Sequence, residues 1–402
     1  MNSINMNVNK QRVLTISTGL LLISALAFAG CGQSSETITL SGGEFGYDNV
    51  PISVETEPGR WSDGTALCLE SGGVSVAGQV EERMDGSSAI WFLAQVPAGE
   101  SVTYQVTENG DCHGILFNWA ETGERVVTLE AGGMPVLEYV HPVYDSENVE
   151  DTKKPFHHVY APSGDRRITK GVGGLYSHHR GIFFGYNQTR VGEESYDIWH
   201  AYDGERSEHE QIEKEWAGPV FGGHELTIHW KGYEGETFAI ETRRLRAFQV
   251  SSDRTVIDLE TTLRSVAGEI ELDGDLQHAG VQFRTAQYVA DNSNQTRYFR
   301  PEPWTDHPAD EELEDIERFV DLPWNAFQFV IEEDDYTVGY IRHSENPSGG
   351  QFSERLYGRF GEFIPTVIDE ENPLTLRYRF LIMEGHEVSR ETLNSFAAGF
   401  QE

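Results

Sequence analysis

The chain has 402 residues, with 66 Asp and Glu against 30 Lys and Arg and a formal net charge of −36. Repulsion on that scale favours solubility and excludes binding driven by attraction to nucleic acid or anionic lipid. With 38% hydrophobic and 11% aromatic residues the chain carries enough apolar surface for a large core, which excludes a disordered chain.

Residues 1–30 read as a targeting segment rather than as fold. Lys10 and Arg12 precede an apolar stretch over 13–28 that is too short and too weakly flanked to span a membrane. Phe28-Ala29-Gly30-Cys31 has the form of a lipobox, with small residues before a cysteine that becomes lipidated. Residues 31–36 then serve as a lipidated tether. This pattern predicts an outer membrane lipoprotein facing the periplasm or the cell surface and attached through its lipid alone. With Cys31 acylated, Cys68 and Cys112 remain as an even pair in an oxidising compartment, which predicts a disulfide between them.

The rest of the chain reads as strand after strand. Ile257, Leu259, Thr261 and Leu263 alternate with Asp258, Glu260, Thr262 and Arg264, the period of a half-buried antiparallel strand. Leu374, Leu376, Tyr378, Phe380 and Ile382 alternate in the same way with Thr375, Arg377 and Arg379. Similar runs cover 88–96, 225–230, 238–250, 281–289, 325–331 and 336–343, separated by Gly, Asp, Asn and Pro clusters suited to turns. Two helices are expected, a short acidic one over 308–319 and one over 389–400 that starts at Ser389 and Glu391. Many strands without regular helix alternation predict an all-β protein, a large antiparallel β-sandwich with few short helices. Residues 37–131 are expected to form a smaller N-terminal β region, joined through Gly132-Gly133 to a sandwich over 132–402.

The chemistry concentrates over 154–187. His157, His158, His178 and His179 are four of the 14 histidines, and the second pair sits between a Gly-rich loop and the strand-like run 182–186. That position holds His178, His179 and Arg180 at a strand entrance, open to a ligand. Imidazole near neutral pH serves as acid, base or metal ligand, and a guanidinium beside it can hold a carboxylate or an oxyanion. Adjacent strand residues face opposite ways, so only one of His178 and His179 is expected to serve the site. No nucleophile elbow, phosphate loop or dinucleotide fingerprint is present, and no metal-binding spacing such as His-Glu-x-x-His occurs.

Several blocks resemble a known family. Pro155-Phe156-x-His158, Ala161-Pro162-x-Gly164 and His178-His179-Arg180-Gly181-Ile182-Phe183 are similar to the bacterial "methane oxygenase PmoA-like" domain of unknown function. Gly280-Val281-Gln282-Phe283-Arg284, His343 with Asn346-Pro347, and Arg355-Leu356-Tyr357-Gly358 continue the likeness. Val159, Ser177 and Ser344 stand where that family favours proline, which removes no titratable group. The name is a poor guide to activity, since methane monooxygenase subunits are multi-spanning membrane proteins and this chain has no such spans. The resemblance implies a sandwich like the galactose-mutarotase supersandwich and a role in bacterial sugar breakdown. On that reading His158, His178, His179 and Arg180 form the catalytic group, and Arg284, His343, Arg355 and Tyr357 bind the substrate. Arg180 and Arg284 steer a sugar oxygen or a uronate, and Trp199 or Trp304 stacks on the ring.

Three functions follow as expectations. The first is a lipid-anchored carbohydrate enzyme using His-centred acid–base chemistry as lyase, epimerase or hydrolase, without a cofactor. The second is a non-catalytic glycan-binding lipoprotein. The third, a metal-dependent enzyme, requires at least three of His158, His178, His179, His200 and His209 to converge. The expected partner is a carbohydrate in each of the first two.

Overall fold

The computed structural model describes residues 36–83, 86–108, 110, 112–303, 319–385 and 389–401. The targeting segment, Cys31 and its tether, Trp304 and nearly all of the helix expected over 308–319 lie outside the described residues.

Antiparallel pairing builds four sheets. An N-terminal sheet of six strands runs in the order Glu36–Ser41, Ser101–Thr107, Ala66–Ser71, Val74–Glu82, Ser88–Val96, Tyr47–Thr56. A central sheet of eight strands begins with Arg206–Ala217, Gly222–Lys231, Thr237–Ser251 and Arg254–Ser265. It continues through Leu374–Glu384, Asp334–Arg342, Trp324–Ile331 and Arg297–Phe299. An outer sheet of eight runs from Gln351–Arg355 through Arg359–Phe363, Ala279–Arg284, Ile182–Tyr186, Phe156–Val159, Met134–Val140 and Val126–Ala131 to Phe117–Gly123. A small fourth sheet joins Glu194–Tyr196, Gln188–Val191, Ile270–Asp273 and Thr366–Ile368. The protein is thus a large antiparallel β-sandwich, with three short α-helices among the described residues.

The central sheet is buried on both faces. Phe380 and Ile382 enter one apolar core with Ile182, Phe184, Val281 and Phe360 of the outer sheet. Leu381 and Met383, between and beside them in the chain, enter a second core with Ile52, Ile90 and Phe92 of the N-terminal sheet. Each such side chain removed from water contributes about 1.5–3 kcal/mol, so both faces of this sheet are held strongly. The helix Arg390–Phe400 adds Leu393 and Phe396 to the second core. It begins where expected, at Ser389, whose Oγ accepts from the Glu391 and Thr392 amides at 3.1 and 3.4 Å.

Two expectations change. The period-two strands around Asp258 and Arg379 are not half-exposed: Asp258 and Arg379 are buried and paired, Nε to Oδ1 at 2.7 Å and Nη2 to Oδ2 at 2.8 Å. Their polar face turns toward the N-terminal sheet, where Arg379 also donates to the Pro51 carbonyl at 3.0 Å. The boundary near Gly132-Gly133 is a hairpin turn inside the outer sheet, because Val126–Ala131 pairs with Met134–Val140. The break between sheets falls instead between Thr107 and Phe117. Cys68 and Cys112 are bonded, with Cα atoms 5.3 Å apart across 44 residues of sequence.

Candidate active site on the outer sheet

Alternation sets which residues the outer sheet sends away from the core. Val281 and Phe283 point inward, so Gln282 and Arg284 point outward, and Phe360 places Arg359 outward in the neighbouring strand. By the same rule Phe183 and His158 face out from the strands beside them. Two glycines let neighbouring strands of this sheet approach closely. Gly181 has φ 45° and an added Cβ would lie 1.9 Å from the His157 carbonyl oxygen. Gly280 has φ 84° and its Cβ would lie 1.9 Å from the Glu362 carbonyl oxygen. This explains the Arg-Gly and Gly-Val steps in the two blocks that drew attention in the sequence.

Over this face the turn carrying His178 and His179 meets the turn carrying Trp199 and His200. The His178 and His179 rings stand 4.2 Å apart, and His178 and His200 stand 4.5 Å apart. The expectation that only one of the pair serves the site is therefore corrected. These residues lie in a turn, where the two-residue period of a strand does not apply, and both rings face the same group. His178 Nδ1 is 3.2 Å from the Tyr202 hydroxyl, and its Nε2 is buried without a partner. His179 lies between Phe183 and Tyr357, with ring centroids 5.7 and 6.2 Å away, and neither of its nitrogens has a partner. The Trp199 indole N–H is also buried and unpaired. Exposed Val172, Leu175, Tyr176 and Tyr202 lie in the segments that carry these histidines.

Two Asp–His pairs flank the cluster, each three residues apart on a tight turn. Asp197 accepts from the His200 amide at 2.8 Å and meets His200 Nδ1 at 2.7 Å. Asp275 accepts from the Gln277 amide at 2.9 Å and meets His278 Nδ1 at 2.8 Å. In both, the carboxylate fixes the turn and the ring together and leaves Nε2 free to act. His200 and His278 lie 5.1 Å apart. Neither Asp197 nor Asp275 was singled out from the sequence, although the twice-repeated Asp-x-x-His spacing could have marked them.

Burial governs the protonation of the group. It brings His178 down to about 2, with the charges of Lys154 and His200 adding to the effect, and takes His179 well below its ordinary range. His158 falls to about 3 by burial and the nearby Arg167; its Nδ1 bonds Thr169 Oγ1 at 3.0 Å. Lys170 comes down to about 7 through burial and then Arg284, its ammonium held by three backbone carbonyls at 3.0–3.2 Å. Near neutral pH the centre of this site therefore offers neutral imidazoles.

Not every expected residue joins. Arg180 is fully buried and turned toward the segment before the sheet. There it donates to the carbonyls of Ser177, Asp151 and Glu150 and pairs with the Glu150 carboxylate at 3.3 Å. It anchors the His178–His179 turn, and each of its three nitrogens already has a backbone carbonyl partner. His343 lies in a different place, a cleft of about 440 Å³ between the N-terminal and central sheets, against Phe400. Arg355 and Tyr357 do belong to the outer face; Tyr357 lies against Arg284, Tyr176 and His179. His157 points inward instead, its Nε2 2.8 Å from that of His224 in the central sheet.

The residues matched by a family model coincide with this scaffold. A model described as "Family of unknown function (DUF6807)" matches residues 126–398. The chain belongs to that family. The match begins within the outer-sheet strand Val126–Ala131 and leaves out the N-terminal sheet, so the family unit is the sandwich that carries the histidine cluster. A search of curated proteins finds no match. Among the described residues no three His, Cys, Asp or Glu side chains are spaced to hold a metal ion, although His178, His179 and His200 meet; His158 and His209 contact other partners. No helix among the described residues is long and apolar enough to cross a membrane.

Proposed function

We propose that this DUF6807 protein is a carbohydrate-active enzyme that moves a proton at a sugar ring, with His178 as the base. The observation that carries the reading is His178 itself: neutral at physiological pH, oriented through Nδ1 by Tyr202, and holding a buried Nε2 with no partner. Such a nitrogen is costly to leave unsatisfied unless it has a ligand to meet. Asp197–His200, in ring contact with His178, supplies a second imidazole positioned to hand a proton back. Exposed Tyr176 and Tyr202 give a sugar ring apolar faces to lie against.

Proton removal favours a lyase or epimerase over a hydrolase. Glycoside hydrolysis ordinarily uses two carboxyl groups flanking the bond. Here the two flanking carboxylates, Asp197 and Asp275, are each engaged by a histidine.

The test is turnover of acidic and neutral glycan fragments by the wild type, His178→Asn and Asp197→Asn. Loss of a positioned base should lower kcat by about 100-fold or more, with binding kept in both variants. Equal turnover in wild type and His178→Asn overturns the assignment. Binding by the wild type with no turnover of any fragment makes the protein a glycan-binding module instead.

A further inference from the structure

Five buried arginines of the described residues follow one rule. Arg379 grips Asp258 through the Nε and Nη2 edge of its guanidinium, Arg300 grips Glu354 through the same edge, and Arg246 turns that edge on Glu81. Arg243 with Glu241 and Arg342 with Glu362 complete the set at 2.6 and 2.7 Å. A buried cation is costly unless a carboxylate compensates it, and these five are compensated.

The outer face breaks the rule. Arg284 is fully buried, yet its Nε and Nη2 have no partner; only Nη1 is used, on the carbonyls of Thr285 and Tyr357. Arg359, also buried, meets only neutral groups, Gln282 Oε1 and Ser353 Oγ at 3.0 Å each and the Tyr357 hydroxyl. Lys154 is buried on the carbonyls of Trp199 and Ile198, and Lys170 on three more. Among the described residues, four buried cations without a salt-bridged carboxylate thus lie around His179, in a chain whose acidic residues outnumber its basic ones by 66 to 30. Glu150 and Asp197 lie within electrostatic reach of the lysines, but among the described residues no carboxylate bonds Arg284 or Arg359.

We propose that the ligand itself supplies the missing anion: the site takes a carboxylate-bearing sugar, and the Nε–Nη2 edge of Arg284 holds its carboxylate as Arg379 holds Asp258. The edge is a flat pair of parallel donors, which matches the two oxygens of a carboxylate. Exposed Tyr176 stands 5.0 Å from Tyr357 by ring centres, and the Arg284 guanidinium lies 5.1 Å from the Tyr357 ring centre. This inference rests on the outer face being the ligand site, and it adds the substrate class to the proton-transfer reading. A guanidinium-paired carboxylate makes the carbon-bound proton beside it easier to remove, the step assigned to His178. A proton is then delivered to the other face of the carbon, or the electron pair left there forms a C=C bond to the neighbouring carbon as that carbon's C–O bond breaks and the leaving oxygen takes a proton.

The experiment is calorimetric titration of the full mature protein with galacturonate and glucuronate oligosaccharides and with the same oligosaccharides after reduction of their carboxyls to alcohols. Wild type should bind an acidic form and lose at least about tenfold in affinity for its reduced counterpart, the effect of one charge-assisted pair. Arg284→Lys, which keeps the charge and loses the fork, should erase most of that preference. Because the variant could fold poorly, thermal melting of the wild type gives an independent reading: the acidic form should raise Tm and the reduced form should not. Equal affinity for acidic and reduced forms, preference for sulfated over carboxylated sugars, or no binding of any uronate at millimolar concentration overturns the proposal. Its failure is separate from that of the proton-transfer reading. Tight uronate binding without turnover leaves the carboxylate site standing and removes His178 as a catalyst, whereas turnover of neutral sugars alone does the reverse.

Discussion

Between the central sheet and its neighbours, and on the outer face of the sandwich, the protein buries cations in opposite company. Arg379 in the interlayer sits on Asp258 with two bonds of 2.7 and 2.8 Å, and Arg342 sits on Glu362 at 2.7 Å. Arg284, equally buried on the outer face, has carbonyl partners for one nitrogen and nothing for the other two. Among the histidines the contrast is one of degree, since interlayer His157 and His224 meet through Nε2 and each leaves Nδ1 unpaired. Interior Tyr378 donates to Glu362 at 2.8 Å, while outer His179 has no partner at either nitrogen. The interlayer pairs fix how the sheets sit on one another, whereas Arg284 and His179 of the outer face hold buried donors and acceptors that no described residue meets.

The largest effect expected from this contrast is on stability in the interlayer. Arg379→Met leaves Asp258 buried and uncompensated and should lower the unfolding free energy by about 3–5 kcal/mol in urea titration. Arg284→Met removes two bonds to carbonyls, at about 1–3 kcal/mol, but also removes a buried cation that has no counter-charge. The two terms oppose, so the ligand-free variant should unfold within about 1 kcal/mol of wild type or above it. A loss at Arg284 as large as that at Arg379 would mean the outer cations are structural after all, and the contrast would collapse.

Much of the fold was legible because it obeys a short-range period. The run 88–96 is the strand Ser88–Val96, and Ser389 caps the last helix as its spacing required. The third layer was not legible. Arg377 and Arg379 alternating with Leu376, Tyr378 and Phe380 look like a strand with one wet face, and nothing local shows that Asp258, on a strand paired across 121 residues, closes that face. The site divides in the same way. His178 and His179 stood out as a local cluster, and Arg284 as part of a motif. Lys154 and Lys170 did not, because a lysine lacking a carboxylate looks in sequence like any other lysine. Arg180 was misplaced for the converse reason: its partners are backbone carbonyls of residues 150, 151 and 177, which leave no mark on side-chain pattern.

The smallest effect, and the one that compares the two regions in a single measurement, is pH dependence. His224 lies between the sheets, stacked on Trp119 at 4.8 Å and facing His157, with Tyr139, His141, His209 and Arg243 around it. Burial, reinforced by the charges of Arg243, His209 and His141, brings it down to about 3; on the outer face burial brings His178 down to about 2. Above the ordinary histidine pKa of about 6.5 neither group takes a proton, folded or unfolded, and neither affects the balance. As the pH falls below that value the unfolded chain binds a proton that the folded site refuses. Stability then falls by about 1.4 kcal/mol per pH unit for each such group until the folded pKa is reached. His224→Gln should therefore flatten the plot of unfolding free energy between pH 6 and 4.5 by close to one proton, with or without ligand. His178→Asn should flatten it by a similar amount in the free protein. With a saturating uronate the two regions should part. An anion beside His178 makes protonation of the folded site easier, so the wild-type slope should become shallower and the His178→Asn variant should change less. If uronate leaves the wild-type slope untouched while still raising Tm, the carboxylate is bound away from the histidines, and the cations and imidazoles of the outer face serve two different ligands rather than one.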